Sequence, residues 1–359
     1  MPNKSRLIIV DLSNFIFRAY FAIQRPMHAP DGTPTKAVYG VMNMMLKILT
    51  DYKPTHFFLA RDSKGGSFRN ELFEAYKANR SEPPADLIPQ FPIIEKLIQL
   101  MNFKNLAIEN YEADDIIGSA CQQWKNQFDE IYIASGDKDL MQFVEGNINL
   151  LDTMKNKLYF AKDVEEKMGI LPNQIVDFLS MVGDTSDNIP GMKGIGAVGA
   201  AKLLKEYGSL DAIIENKHLL TGKKNIEAFN EHLEMGMLSK KLVTINTNLN
   251  LGIDPNELEF SFYPNENLIE FAKSLGFNST VSKFQEMQIQ HHLQKENSNS
   301  VYVEKNVNLQ SALFPKEKAF NLEIIELSEN NFNEFMENVV QLKIPLRVDT
   351  SIGVNWFDL

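Results

Sequence analysis

Nine acidic side chains stand in short motifs between residues 11 and 187: Asp11, Asp62, Glu112, Asp114, Asp115, Asp137, Asp139, Asp184 and Asp187. Carboxylates repel one another, so gathering them at one place needs a compensating divalent cation. Hard oxygen ligands are what magnesium or manganese prefers. Two such ions held about 4 Å apart can clamp a phosphodiester, activate an attacking water and stabilise the leaving oxygen. Glu112 and Asp115 fall one helical turn apart with Asp114 beside them, and Asp137 and Asp139 project to one side of an extended segment. Each acid also has an ordinary explanation. Asp11 can cap a turn, acids are favoured at a helix start by the macrodipole, and Asp184 and Asp187 can cap a loop. Five independent caps would not all need to fall at one sheet edge or on adjoining loops.

The elements that must position these acids alternate. Residues 7–10 and 56–60 read as strands ending at or near Asp11 and Asp62, and 131–134 reads as a strand feeding Asp137. Residues 38–50, 67–77, 86–101 and 114–124 carry helical spacing, with Pro83-Pro84 breaking the third from the second. Strand–helix alternation predicts an α/β fold with a mostly parallel sheet. Ligands bind such sheets beyond the carboxyl ends of the strands, where Asp11, Asp62 and Asp137 stand. From Pro172 the pattern turns helical, with helices over 173–181 and 199–207 joined by a Gly/Pro-rich stretch. Residues 289–309, rich in Gln, Asn, Ser, His and Lys, read as a linker.

Composition sets bounds. The 359 residues are 44% apolar, which supports a packed core and more than one domain. No run is apolar enough to span a bilayer, and the start is too short to be a secretory signal. The single cysteine, Cys121, excludes an intrachain disulfide and a Cys-rich zinc site, and its apolar setting reads as burial. A cytoplasmic protein with no membrane partner is expected. The net charge of −11 argues at first against nucleic acid. Set the nine ligand acids aside, however, and 38 of the 47 acids remain against 36 Lys and Arg. A local basic groove is then compatible with the balance.

Tyr111-Glu112-Ala113-Asp114-Asp115, Ser135-Gly136-Asp137-Lys138-Asp139-Leu140 and Gly183-Asp184-Thr185-Ser186-Asp187-Asn188-Ile189-Pro190-Gly191 resemble the 5′–3′ exonuclease domain of bacterial DNA polymerase I, within the flap endonuclease family. Ser67-Phe68-Arg69 and Tyr76-Lys77-Ala78-Asn79-Arg80 extend the match, which covers roughly residues 5–285. The resemblance implies a PIN-like α/β nuclease core over 1–170, with a helical arch at about 64–100. A helix–hairpin–helix module would occupy 171–288. It also implies a magnesium- or manganese-dependent nuclease with two or more ions, acting on DNA with a 5′ flap, nick or branched end, an RNA primer on DNA included. Asp11, Asp62, Glu112 and Asp114 would hold the tighter ion. Asp115, Asp137, Asp139, Asp184 and Asp187 would surround the second, some of them through water.

Lys77 and Arg80 match basic residues that draw the 5′ strand and scissile phosphate to the metals. A cation there offsets developing charge, although for Lys and Arg a solvated helix face is the ordinary reading. Phe17 matches an aromatic that stacks on a base near the cleavage point, a sequence-tolerant contact, though a core aromatic fits that position as well. Arg18, Arg69 and Tyr76 are placed with it at the DNA. Gly191-Met192-Lys193-Gly194-Ile195-Gly196 is the hairpin signature. Its glycines let backbone approach phosphate, and N–H groups at the next helix start bind it. Lys193, Gly194, Ile195, Gly196 and Lys202 are the expected duplex contacts, with a potassium ion bridging hairpin and phosphate. A separate DNA polymerase as partner, a monomeric state and a location with the bacterial nucleoid follow from the same resemblance.

The chain departs from the family pattern at several places. Ala197, Val198 and Gly199 stand where Glu-Lys-Thr is usual, which removes a cationic phosphate contact and a hydroxyl. Leu12 replaces a common glycine, and Ala60-Arg61 precede Asp62 where an aromatic is common. After a linker at 289–318, residues 319–359 resemble the opening of a 3′–5′ exonuclease domain. Asp349-Thr350-Ser351 carries serine where its second carboxylate belongs, so no proofreading or polymerase activity is expected there. Two other readings compete. A PIN-type ribonuclease would prefer single-stranded RNA to flap DNA, and a degenerate DNA-binding relative would bind without magnesium-stimulated cleavage.

Overall fold

The computed structural model describes residues 4–301, with side chains to residue 291. The expectations for residues 302–318 and 319–359 lie outside the described residues. Six strands, β1 Arg6–Asp11, β2 His56–Ala60, β3 Lys104–Leu106, β4 Glu130–Ala134, β5 Ile148–Asp152 and β6 Lys157–Tyr159, form one sheet in the order β3-β2-β1-β4-β5-β6. Every neighbouring pair is parallel except β5 with β6. Val10 of β1 stands level with Leu59 of β2 and with Ala134 of β4. The carboxyl ends of three adjacent strands therefore lie side by side. The chain runs from β1 to β2 and β3 on one side and then crosses to β4 on the other, so the order reverses between β1 and β4, the position at which such sheets bind ligands.

The strands are apolar on both faces, as a parallel sheet covered by helices requires. Leu7, Ile9, Phe58, Ala60, Ile131 and Ile133 enter one core layer. Ile8, Val10, Phe57, Leu59, Tyr132 and Ala134 enter the other. The second layer is closed by helices α1 Leu12–Ala22, α2 Lys36–Tyr52 and, beyond the short α3 Phe68–Leu72, α4 Phe91–Leu100. The first is closed by α5 Ala113–Trp124 and, past α6 Ala161–Met168, by α7 Ile175–Val182 and α8 Ala197–Tyr207. Helices α9 Leu210–Glu215, α10 Lys223–Glu231 and α11 Leu233–Val243 continue that layer, whereas α12 Glu266–Ser274 and α13 Asn278–Val301 pack into the second layer through Leu268, Phe271 and Phe284. Trp124, Leu179, Leu204 and Phe229 thus share one core with the sheet, inside a compact unit spanning Met1–Leu293. Among the described residues no helix is long and apolar enough to cross a membrane.

Three expectations differ from what is found. The helix expected over 67–77 stops at Leu72, because Phe73 turns to an extended conformation and Lys77 takes a φ of 57°, outside the helical region. The helix expected from residue 86 begins at Phe91, after a single 3-10 turn containing Pro89. Helix α4 buries Ile94, Leu97 and Ile98, so it belongs to the core layer and not to a free-standing arch. Finally, α13 runs through the start of the expected linker to Val301, with no Gly or Pro to stop it.

Candidate active site

The acids at the sheet edge are fixed by backbone and hydroxyl groups of neighbouring loops. Asp11 ends β1 and caps α1, accepting from the Asn14 N–H at 3.0 Å. It also accepts from Ser135 Oγ at 2.9 Å, just past β4. Ser135 Oγ in turn accepts from the Asp137 N–H at 3.1 Å, and Asp137 accepts from the Asp139 N–H at 2.9 Å. Gly136 N–H donates to Asn14 Oδ1 at 3.0 Å, which ties the exits of β1 and β4 together. Beyond β2, Asp62 accepts from the Ala113 N–H at 2.8 Å and so pins the first turn of α5. Glu112 is the residue before that helix, and Asp114 lies in its first turn.

The remaining acids come from the loop after α7. Gly183 and Gly191 bracket it with φ values of 75° and 65°. Asp184 and Ile189 exchange backbone hydrogen bonds of 2.9 and 2.7 Å inside this closed loop. A Cβ on Gly183 would stand 2.4 Å from the Ile189 carbonyl, so glycine is required there. Across from it, the Lys77 N–H donates to the Asp187 carbonyl at 2.9 Å. Asn79 donates to the Thr185 carbonyl and Asn188 to the Ala75 carbonyl, both at 2.6 Å. The segment carrying Lys77 and Arg80 is thereby stitched to the loop carrying Asp184 and Asp187.

Three cations face the acids. Lys77 Nζ lies 2.6 Å from Glu112 and 3.7 Å from Asp187. Arg80 pairs with Asp187 at 2.6 Å and Lys138 with Asp184 at 2.9 Å. Among the described residues no three acidic, His or Cys side chains close round a single point. The acids are instead drawn outward to these cations, as mutual repulsion dictates. Their electrostatics match a divalent cation all the same. Burial, with the charges of Asp137 and Asp184, pushes Asp139 up to about 8. Its Oδ1 is buried without a hydrogen-bond partner. Burial also lifts Asp11 to about 7, against the Asn14 N–H and with the Asp62 and Asp137 charges adding to it. Asp114 is raised well above the usual range by burial and the charges of Asp137 and Asp11. Burial raises Asp137 as well, opposed by the Asp139 N–H. Burial works against Asp184 too, but Ser186 and Lys138 outweigh it and hold it below the ordinary value. Burial opposes the charge on Lys77, yet Glu112, Tyr76 and Asp187 overcome it and keep the ammonium protonated. An all-oxygen donor set with an orphaned carboxylate oxygen fits a hard divalent ion.

The structure departs from expectation at five residues. Asp115 is 0% exposed, its four acceptor positions filled by Arg69, the Glu112 N–H and the Asn246 N–H. Arg69 is 2% exposed and bound to Asp115, so it is not at a DNA surface. Tyr76 is buried and donates to Glu112 at 3.0 Å. Arg18 pairs with buried Asp152 at 2.7 Å beneath Gly136. Ile195 is buried and packs into the core, so it anchors the hairpin from below. Phe17 is 37% exposed, and Lys193, Gly194, Gly196 and Lys202 are exposed. Gly194 takes a φ of 96°, and Gly196 precedes α8 without a capping side chain. Val198 is 88% exposed in the first turn of α8. The sequence reading assigned no role to Asn14, Ser135, Lys138 or Asp152. Lys138 alone carried a signal, as a cation between two acids.

Two family profiles match consecutive stretches of this chain: "5′-3′ exonuclease, N-terminal resolvase-like domain" over residues 6–169 and "5′-3′ exonuclease, C-terminal SAM fold" over 170–266. The chain belongs to the 5′–3′ exonuclease family. Both profiles describe a 5′-3′ exonuclease. The chain is 38% identical over 293 residues to DNA polymerase I of Rhizobium leguminosarum, which covers 80% of this chain and 29% of that one. It is 33% identical over 339 residues to DNA polymerase I of Bacillus subtilis, covering 93% and 38%. The chain thus spans about a third of the length of these relatives. In fold it resembles the bacteriophage T5 5′-exonuclease with bound zinc, at a TM-score of 0.58 and 20% identity, covering 79% of this chain and 98% of that one. A bacteriophage T5 flap endonuclease pseudo-enzyme–product complex with DNA and metal ions gives 0.57 and 20%, covering 79% and 99%.

Proposed function

We propose that the chain is a divalent-metal-dependent, structure-specific 5′ nuclease that hydrolyses DNA phosphodiesters at 5′ flaps, nicks or branched ends in replication and repair. The observation that carries this reading is Lys77, which joins Glu112 before α5 to Asp187 of the closed loop at the mouth of the sheet-edge acids. Asp11, Asp62, Glu112, Asp114, Asp137, Asp139, Asp184 and Asp187 would hold two or more magnesium or manganese ions. Such ions supply an activated water and neutralise charge on the phosphate. Lys77 and Arg80 meet the scissile phosphate and offset its developing negative charge. Phe17 offers a stacking face for a base beside the cut. The uncapped N-terminus of α8, with Lys193 and Lys202, grips duplex phosphates without reading sequence, and the hairpin would hold a potassium ion that supplies positive charge beside the phosphates.

The substrate class includes RNA-primed DNA, and a separate DNA polymerase is a partner. The chain acts as a monomer in the cytoplasm, with the nucleoid. Cleavage of a 5′-labelled flap with and without magnesium tests the reading. Magnesium-dependent release of the flap is expected. Salt-dependent binding with no magnesium-stimulated cleavage would instead mark a degenerate binding relative, and preference for single-stranded RNA a PIN-type ribonuclease.

A further inference from the structure

Arg69 and Asp115 form a buried pair in which every polar position is used. The guanidinium spends both Nη groups on the two Asp115 oxygens at 2.8 Å each. A further Nη1 bond reaches Glu112 Oε2 at 3.2 Å. Its Nε donates to the Leu242 carbonyl at 2.8 Å and Nη2 to the Thr244 carbonyl at 3.1 Å. All five guanidinium N–H donors are thereby satisfied. Asp115 completes its own set with the Asn246 N–H at 2.8 Å and the Glu112 N–H at 3.2 Å. A carboxylate with all four acceptor positions filled and no exposure has nothing left to offer an ion.

The partners of this pair come from three places. Arg69 lies on α3, Asp115 and Glu112 at the start of α5, and Leu242 and Thr244 at the end of α11. Helix α11 also holds the hairpin, because Ser239 Oγ accepts from the Gly191 N–H at 2.9 Å. We infer that Arg69 and Asp115 are positioning residues and not metal ligands: together they hold Glu112 toward the acids and tie that placement to the hairpin-bearing helices. This rests on the nuclease reading above. Carboxylates and cations that orient metal ligands typically change activity or metal affinity roughly 10–100-fold when removed.

The test counts ions as well as turnover. Manganese bound to the wild-type protein, Asp115→Asn and Asp139→Asn is measured by electron paramagnetic resonance, alongside cleavage of the labelled flap. Asp115→Asn and Arg69→Lys should bind as many manganese ions as wild type and bind flap DNA in calcium equally well. Their turnover should fall roughly 10–100-fold. Loss of one manganese ion in Asp115→Asn, or turnover equal to wild type in both variants, would overturn the inference. A buried charge left alone can prevent folding, and replacing both partners by apolar residues avoids this. The double variant Arg69→Met with Asp115→Leu should therefore fold and keep the wild-type ion count, and one ion fewer would overturn the inference there too. Failure of wild-type protein to cleave the flap would refute the nuclease reading separately, because the ion count is read without turnover.

Discussion

Lys77 Nζ sits 2.6 Å from Glu112 Oε1, and its backbone carries a positive φ of 57°. A lysine seldom adopts that conformation, so the surrounding contacts must hold it. They are the Asp187 carbonyl at the Lys77 N–H and the Asn79 and Asn188 side chains on either side. The ammonium is thus aimed at the acids by structure on both flanks.

Lys77→Ala should therefore reduce flap cleavage on the order of 100-fold or more while leaving duplex binding nearly unchanged. Single-turnover rates and equilibrium binding in calcium separate the two effects. Equal losses in both would show that Lys77 only grips DNA.

Replacing Asp114 by Asn should abolish metal-dependent cleavage while the chain stays folded, because it removes one of several repelling charges. Circular dichroism melts with and without magnesium report the folding. Turnover at the wild-type rate would refute a ligand role for Asp114.

The raised carboxylates give a pH dependence with a definite sign. Asp11, at about 7, and Asp139, at about 8, bind protons in the folded chain that the unfolded chain releases near pH 4. Between about pH 4 and 8 the folded state holds more protons, so stability without divalent ions falls as pH rises. Magnesium displaces those protons, so the stabilisation it gives should grow across the same range. Thermal melts in chelator and in magnesium at about pH 5.5 and about pH 8 decide this. A magnesium effect independent of pH would contradict it.

Gly183→Ala places a Cβ 2.4 Å from the Ile189 carbonyl at a φ of 75°. Stability should fall by about 1–3 kcal/mol from the backbone strain, and cleavage should drop because Asp184 and Asp187 shift with the loop. A melting temperature equal to wild type would show that the loop is not held by this close approach.

Lys193→Ala and Lys202→Ala should weaken binding similarly for all duplex sequences and lower the salt slope by about 1 each. Binding titrations across salt concentrations measure this. A change in sequence preference would point to base contacts instead.

Much of this was legible in the residues. The apolar runs before Asp11, Asp62 and Asp137 read as strands because they are buried on both faces, and the α/β alternation followed. Strands β3 and β6 escaped because they are three residues long and at the sheet edges, and β5, five residues long and buried inside the sheet, was missed as well. The acids at the strand ends were visible in the sequence as short motifs following apolar runs. The identities of the cations were harder to interpret, since Arg69, Arg18 and Lys77 are the same kind of side chain at the level of sequence. Only a tertiary partner separates a buried strut such as Arg69, on Asp115, from a cation at an open mouth such as Arg80. The break at Lys77 was hidden because the positive φ comes from contacts with a loop about a hundred residues further on.

The helices that carry the hairpin share one core with the sheet that carries the acids. The two therefore act as the fixed jaws of a calliper. On the nuclease reading proposed above, such an enzyme would locate its cut by measuring along the substrate from a gripped duplex to the acids. Tolerance of base sequence and intolerance of altered junction geometry would then have a single origin.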